Sequence, residues 1–183
     1  TFHKGWTTAL LRNAGIPVAK SIECLPTETW DKKRIEEVVS ELGLPCFVKP
    51  NESGSSIGIT RVTSADGVWQ AIETARATGT STVLVEALLS GREFTCGVIP
   101  EGRGNIQALP ITEIISHNEF FDYAAKYDGE SHEITPANIS DDETLALQAM
   151  AMKVYRTLHL KGMARVDMMM EQGAQPHVIE INA

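Results

Sequence analysis

The run RVDMMMEQGAQPHVIEIN, from Arg165 to Asn182, places two alternating segments on either side of a turn-like Gln-Gly-Ala-Gln. Such alternation predicts a β-hairpin. With Gly173 and Ala174 as its loop, Asp167 stands opposite Glu180 and Arg165 opposite Asn182. Side chains alternate across a strand, so these four share one face. Val166, Met168, Met170, His177, Ile179 and Ile181 are expected on the other. The polar face fits two chemistries. One is the solvated side of a half-exposed antiparallel pair. The other is a hard-cation site, because Mg²⁺ takes oxygen ligands from one or two carboxylates and completes its shell with water and phosphates. Alternation alone leaves both open.

Three further segments carry groups of chemical interest. CFVKPNESGSSIGITRV, Cys46 to Val62, brings Lys49 to a strand end and follows it with a small-residue loop. The backbone N–H groups and hydroxyls of such a loop can converge on one anion. The plain alternative is a flexible hairpin loop beside an exposed lysine. No Gly-Lys-Ser/Thr opens a helix there, so it is not a Walker A loop. STVLVEALLSGREFTCGVI, Ser81 to Ile99, runs out through Ala87, Leu88 and Leu89 and returns with Glu93. An apolar link with free backbone groups suits an adenine ring, and Glu93 suits ribose hydroxyls. The same text also fits a hinge with surface carboxylates. FFDYAAKY, Phe120 to Tyr127, sets Lys126 and Tyr127 in a long polar stretch. There Lys126 is either a phosphate ligand on a closing loop or a solvated lysine beside aromatic anchors. The five histidines show no metal or triad spacing.

Positioning these groups requires a frame. The patterns predict helices over 4–14, 27–42, 65–78 (capped by Ser64) and about 140–160, the last opened by the capping box Ser140-Asp-Asp-Glu143. They predict strands over 17–23, 45–49, 57–62, 82–86, 93–99 and 107–115, and a long loop from His117 to Asn138. Hairpins mixed with crossovers favour α+β over a uniform doubly wound sheet. The 183 residues are 43% hydrophobic and 22% charged, an ordinary globular balance. A net charge of −8 gives no basic footprint for nucleic acid. No apolar run is long enough to span a membrane and no signal-peptide pattern opens the chain. Cys24, Cys46 and Cys96 fit no zinc spacing and read as reduced thiols in a cytoplasmic protein. The text starts without Met and stops just after the polar face, so a piece of a longer protein is expected.

Taken together, HKGWTTALLRNAGIPVA, FVKPNESGSSIGITRV, VLVEALLSGREF, FFDYAAKY, ITPA, RVDMMM and EIN resemble the D-alanine–D-alanine ligase family of ATP-grasp enzymes, in family order and over nearly the whole chain. The resemblance implies an ATP-grasp fold, with two α/β subdomains (1–88 and 89–183) and ATP bound between them. It implies that Lys4, Lys49 and Lys126 bind phosphates, that Glu86, Ala87 and Leu89 line the adenine pocket, and that Glu93 holds the ribose. Asp167, Glu180 and Asn182 would hold two Mg²⁺ ions, with Mn²⁺ as an alternative. Ser55 and Tyr127 would position the first D-alanine, and Arg165 would face the reacting carboxyl group. Neither Asp167 nor Glu180 is expected to pack in the core. The implied activity is ATP-dependent joining of two D-alanines for peptidoglycan precursors in the cytoplasm. The family is often dimeric, which leaves a homodimer of the full-length protein open, and this segment alone should be nearly inactive. Other carboxylate–amine ligases, D-lactate or D-serine acceptors, and a non-catalytic nucleotide-binding module stand as alternatives. His3, Ala87 and Phe121 depart from the residues common in the family at those places, whereas Tyr127 is retained.

Overall fold

The computed structural model describes residues 3–52, 57–102, 104–116 and 131–183. The chain forms two compact units. The N-terminal unit takes residues 3–7 together with Ala19–Leu89; the C-terminal unit takes Thr8–Val18 together with Ser90–Ala183.

The N-terminal unit contains the start of α1 (Lys4–Asn13), then β1 (Ser21–Cys24), α2 (Lys32–Leu42), β2 (Cys46–Pro50), β3 (Thr60–Val62), α3 (Asp66–Arg76) and β4 (Val83–Ala87). Its sheet is antiparallel, in the order β1-β4-β2-β3. One face carries Cys24, Cys46, Val48, Val62, Val83 and Val85. These pack with Val38 and Leu42 of α2 and with Val68, Ile72 and Ala75 of α3. Strand alternation sends Glu23, Phe47, Lys49 and Glu86 to the opposite face. The helix expected over 27–42 begins only at Lys32. Glu28 accepts from Leu25 N–H and Trp30 Nε1, both at 3.3 Å, which forms a turn and buries Trp30. Asp31 then caps α2 by accepting from Arg34 N–H. At α3 the expected Ser64 side-chain cap is absent; Gly67 N–H instead donates to the Ser64 carbonyl.

The C-terminal unit contains β5 (Arg92–Gly102), β6 (Asn105–Ala108), β7 (Thr112–Ser116), β8 (Ser131–Ile134), α4 (Asp141–Thr157), β9 (Ala164–Met170) and β10 (His177–Asn182). The sheet runs β10-β9-β5-β7-β8, with β6 also paired to β5. Phe94, Cys96, Val98, Val166, Met168, Val178 and Ile181 form its core face, under Leu147, Ala151 and Val154 of α4. The expected strand 107–115 is broken around Pro110, which has no N–H for a ladder. Strand β8 lies within the stretch expected to be all loop: its polar side chains hid a segment that pairs with β7. The expected strand at 17–23 shrinks to β1 plus an isolated bridge between Val18 and Val178. The capping box opens α4 as read, with Glu143 N–H donating to Ser140 Oγ and Ser140 N–H donating to Glu143 Oε2. The three cysteines are free and buried, and burial pushes the Cys24 and Cys96 thiols up to about 11. Among the described residues no helix is long and apolar enough to cross a membrane.

Gly91 is the tightest point in the approach to β5. Its φ is +123°, and a Cβ there would lie 2.5 Å from the Met170 carbonyl carbon and oxygen, at the end of β9. Gly91→Ala should therefore cost roughly 1–3 kcal/mol or more, through backbone strain and a clash that no rotamer relieves. Urea unfolding of the variant checks this; an unchanged midpoint would show that the turn can open without loss.

Candidate active site

In the C-terminal unit, the hairpin of β9 and β10 brings the predicted face together. Glu180 pairs with Asp167 and Asn182 with Arg165. On the other side of β9, Thr95 pairs with Asp167 and Gly97 with Arg165. Asp167 is only 6% exposed, so it is buried, contrary to the sequence expectation. Its burial is compensated by hydrogen bonds. Oδ1 accepts from Thr95 Oγ1 at 2.7 Å and Arg165 Nε at 2.8 Å, and Oδ2 accepts from Arg165 Nη2 at 3.0 Å and Asn182 Nδ2 at 2.9 Å. The bidentate bonds to Asp167 push the Arg165 guanidinium pKa above its ordinary value. Glu93 lies on the same face of β5, two residues before Thr95.

The register at this site depends on a bulge. His177 pairs with Met169 and Val178 with Met168, and the register shifts before Glu180. The turn is Glu171–Ala174, closed by Ala174 N–H donating to Glu171 O at 3.0 Å, with Gly173 at φ +70°. A regular ladder continued from His177 and Val178 would place Ile179 opposite Asp167 and turn Glu180 to the core. The extra residue, Ile179, restores Glu180 to the polar face. Bulges beside active sites commonly re-aim a side chain in this way. Val178 is accordingly buried and Ile179 is exposed, the reverse of the face assigned from alternation.

In the N-terminal unit, Lys49 lies at the end of β2 and its Nζ is 2.5 Å from Glu86 Oε1. The two side chains are 10% and 12% exposed, so this is a buried pair. They are diagonal neighbours on one sheet face, since Phe47 pairs with Glu86 and Lys49 with Leu84. Ala87 ends β4, where its N–H donates to Lys20 O at 2.9 Å. Leu89 is half-buried just beyond. Lys4 opens α1, and its N–H donates to Asn51 O at 3.0 Å. Ser55, Lys126 and Tyr127 lie outside the described residues.

Sequence reasoning missed Thr95 and Asn51. Thr95 shares the Glu93 face by simple alternation, which was a usable signal. Asn51 carries no such signal, because it opens the small-residue loop after Lys49-Pro50 and its partners Lys4 and Gly5 lie on α1.

Hydrogen-bonded carboxylates and a buried lysine are common to many sites, and comparison with known proteins separates them. The family model described as D-ala D-ala ligase C-terminus matches residues 10–183. The chain belongs to this family. Members with similar sequence include the D-alanine–D-alanine ligases of Flavobacterium psychrophilum and Porphyromonas gingivalis. They are 43% and 40% identical over 182 residues, covering 100% of this chain and 54% of each relative. The chain thus spans about half the length of the curated relatives it matches. Among solved structures, the VanG D-Ala:D-Ser ligase of Enterococcus faecalis superposes with a TM-score of 0.83 at 30% identity, over 99% of this chain and 52% of that one. The D-alanine–D-alanine ligase of Bacillus anthracis gives 0.80 at 32% identity, over 98% and 56%. The α+β architecture of this family member is the ATP-grasp fold of these ligases.

Proposed function

We propose that this chain forms the nucleotide- and metal-handling part of an ATP-dependent ligase that joins two D-alanines for peptidoglycan precursors in the cytoplasm. The observation that carries the proposal is the Arg165–Asp167–Glu180–Asn182 face, held by register in a member of the D-alanine–D-alanine ligase family. Lys4, Lys49 and Lys126 bind the phosphates of ATP; Glu86, Ala87 and Leu89 line the adenine site, and Glu93 holds the ribose.

Among the described residues there is no cluster of three or more His, Cys, Asp or Glu that would cage a metal unaided. The donors here are two carboxylates, Asp167 and Glu180, and one amide, Asn182. That is a hard-oxygen set which suits Mg²⁺, or Mn²⁺, when phosphate oxygens and water supply the remaining ligands. Two such ions, when bound, neutralise charge on the transferring phosphoryl group.

A carboxylate is a poor electrophile, and the reaction corrects this in two displacements. An oxygen of the first D-alanine's carboxylate attacks the γ-phosphorus, the bond to the β-bridging oxygen breaks, and ADP leaves. The amine of the second D-alanine then attacks the acyl carbon, loses a proton, and expels phosphate. Arg165 stabilises the oxyanion formed in the second step, while Ser55 and Tyr127 position the first D-alanine. Asp167 keeps the Arg165 guanidinium in place on the face.

The test is an assay of the full-length protein with ATP, Mg²⁺ and D-alanine, in which phosphate release and D-alanyl-D-alanine are expected together. A second reading takes D-serine as acceptor, favoured by the likeness to the D-Ala:D-Ser ligase. D-Serine and D-lactate belong in the same screen. Exclusive turnover of either would replace the dipeptide assignment, and tight ATP binding without any turnover would reduce the chain to a nucleotide-binding module.

A further inference from the structure

We propose that Asn51 is a positioning residue that fixes Lys4 relative to Lys49. The inference rests on the reading that both lysines bind ATP phosphates. Asn51 follows Lys49-Pro50 at the end of β2 and is 0% exposed. A buried amide survives only when its polar atoms are partnered, and the partners of Asn51 are specific. Its N–H donates to Thr82 O at 3.1 Å, which ties it to the approach to β4. Its carbonyl accepts from Lys4 N–H at 3.0 Å, and its Oδ1 accepts from Gly5 N–H at 2.8 Å. Its Nδ2 lies 2.9 Å from His3 Nε2. The first N–H groups of a helix have no partner within the helix. Here one residue of another element accepts two of them.

The seat leaves no slack. A Cβ at position 5 would overlap the Glu23 carboxylate of β1 and come within 3.3 Å of Asn51 Oδ1. The first turn of α1 is therefore wedged between β1 and the residue that follows the Lys49-Pro50 strand end. The spacing of the two lysine backbones is set by bonds that run through Asn51, two residues from Lys49. Leucine at this position would fill similar volume with neither donor nor acceptor. Aspartate would keep the acceptor for Gly5 N–H, at the favourable end of the helix dipole.

Calorimetric titration of the full-length protein with adenylyl imidodiphosphate, and separately with AMP, tests the role. Asn51→Leu should weaken the triphosphate analogue about tenfold, the scale of one lost buried hydrogen bond, and leave AMP within about twofold. Asn51→Asp should recover most of the loss. In a Lys4→Ala background, Asn51→Leu should add nothing, because it acts through Lys4. Equal weakening of AMP, or losses that add in the double variant, would overturn the positioning role. If Asn51→Leu does not fold, Asn51→Ser is read by the same criteria. If the analogue binds no tighter than AMP, or Lys4→Ala leaves it unchanged, the phosphate reading falls and the inference with it. If Lys4→Ala weakens binding and no Asn51 variant does, only the inference falls.

Discussion

Asp167→Asn is expected to lower Mg²⁺-dependent turnover of the full-length protein by about a thousandfold or more, corresponding to about 4 kcal/mol of lost transition-state stabilisation. Asparagine is the proper probe because Asp167 is buried and holds four hydrogen bonds. Alanine would strand Thr95, Arg165 and Asn182 together and confuse folding with chemistry. Asparagine keeps the volume and one acceptor oxygen. Its amide nitrogen can face Thr95, whose hydroxyl can turn and accept, while Arg165 Nε loses its Oδ1 acceptor and, being half-exposed, turns to solvent. What disappears is the charge that both pairs with Arg165 and would bind the cation. The loss should persist at saturating Mg²⁺, and the far-UV circular dichroism should be unchanged. Glu180→Gln, aimed at the same face by the bulge, should show the same insensitivity to added Mg²⁺. Turnover within tenfold of the parent in both variants would remove the metal assignment.

The hairpin shows how far the sequence could be read and why reading stopped. Alternation and a Gly-containing turn were enough to pair Asp167 with Glu180. That pairing was obtained from a simple two-residue loop, whereas the chain makes a longer turn and compensates with a bulge at Ile179. The two departures cancel at the polar end and not at the apolar end, so Val178 and Ile179 exchange faces. A bulge leaves no signature in a binary pattern, because it is chosen by the sheet that surrounds it. Long amphipathic helices such as α4 were legible from caps and period, since local and tertiary preferences agree there. Strand β8 was not, because Ser131-His-Glu-Ile134 alternates weakly and its order comes from pairing with β7. The buried role of Asp167 depends on Thr95, which is 72 positions away in the chain and reaches it only through sheet register. The same holds for Asn51 and Gly5, 46 positions apart. Chemistry assembled by long-range pairing requires the fold before it can be read.

Lys49→Met should produce two separable losses. Lys49 and Glu86 are both nearly excluded from solvent and in direct contact. Removing one partner of such a pair leaves the other charge buried without compensation, at a cost of roughly 3–5 kcal/mol. Urea unfolding should register that cost as a lower midpoint. Calorimetry with ATP should register a loss of affinity on the order of a hundredfold, about 2.7 kcal/mol, for a phosphate contact made by a charged donor. Adding Glu86→Leu distinguishes the causes. Replacing both members of a buried ion pair with apolar groups of similar size is often neutral for stability, so the double variant should regain most of the unfolding midpoint. It should regain none of the ATP affinity if, as proposed, Glu86 lines the adenine site and Lys49 is a phosphate ligand, because that ammonium is still missing. An ammonium has three donors, and its bond to Glu86 uses one, so pairing and phosphate binding are compatible roles for the same side chain. If the double variant stays as unstable as the single, the loss comes from imperfect packing of the replacement side chains rather than from an unpaired charge. If ATP binds equally well to Lys49→Met, Lys49 belongs to the fold alone, and the phosphates must be held by other residues.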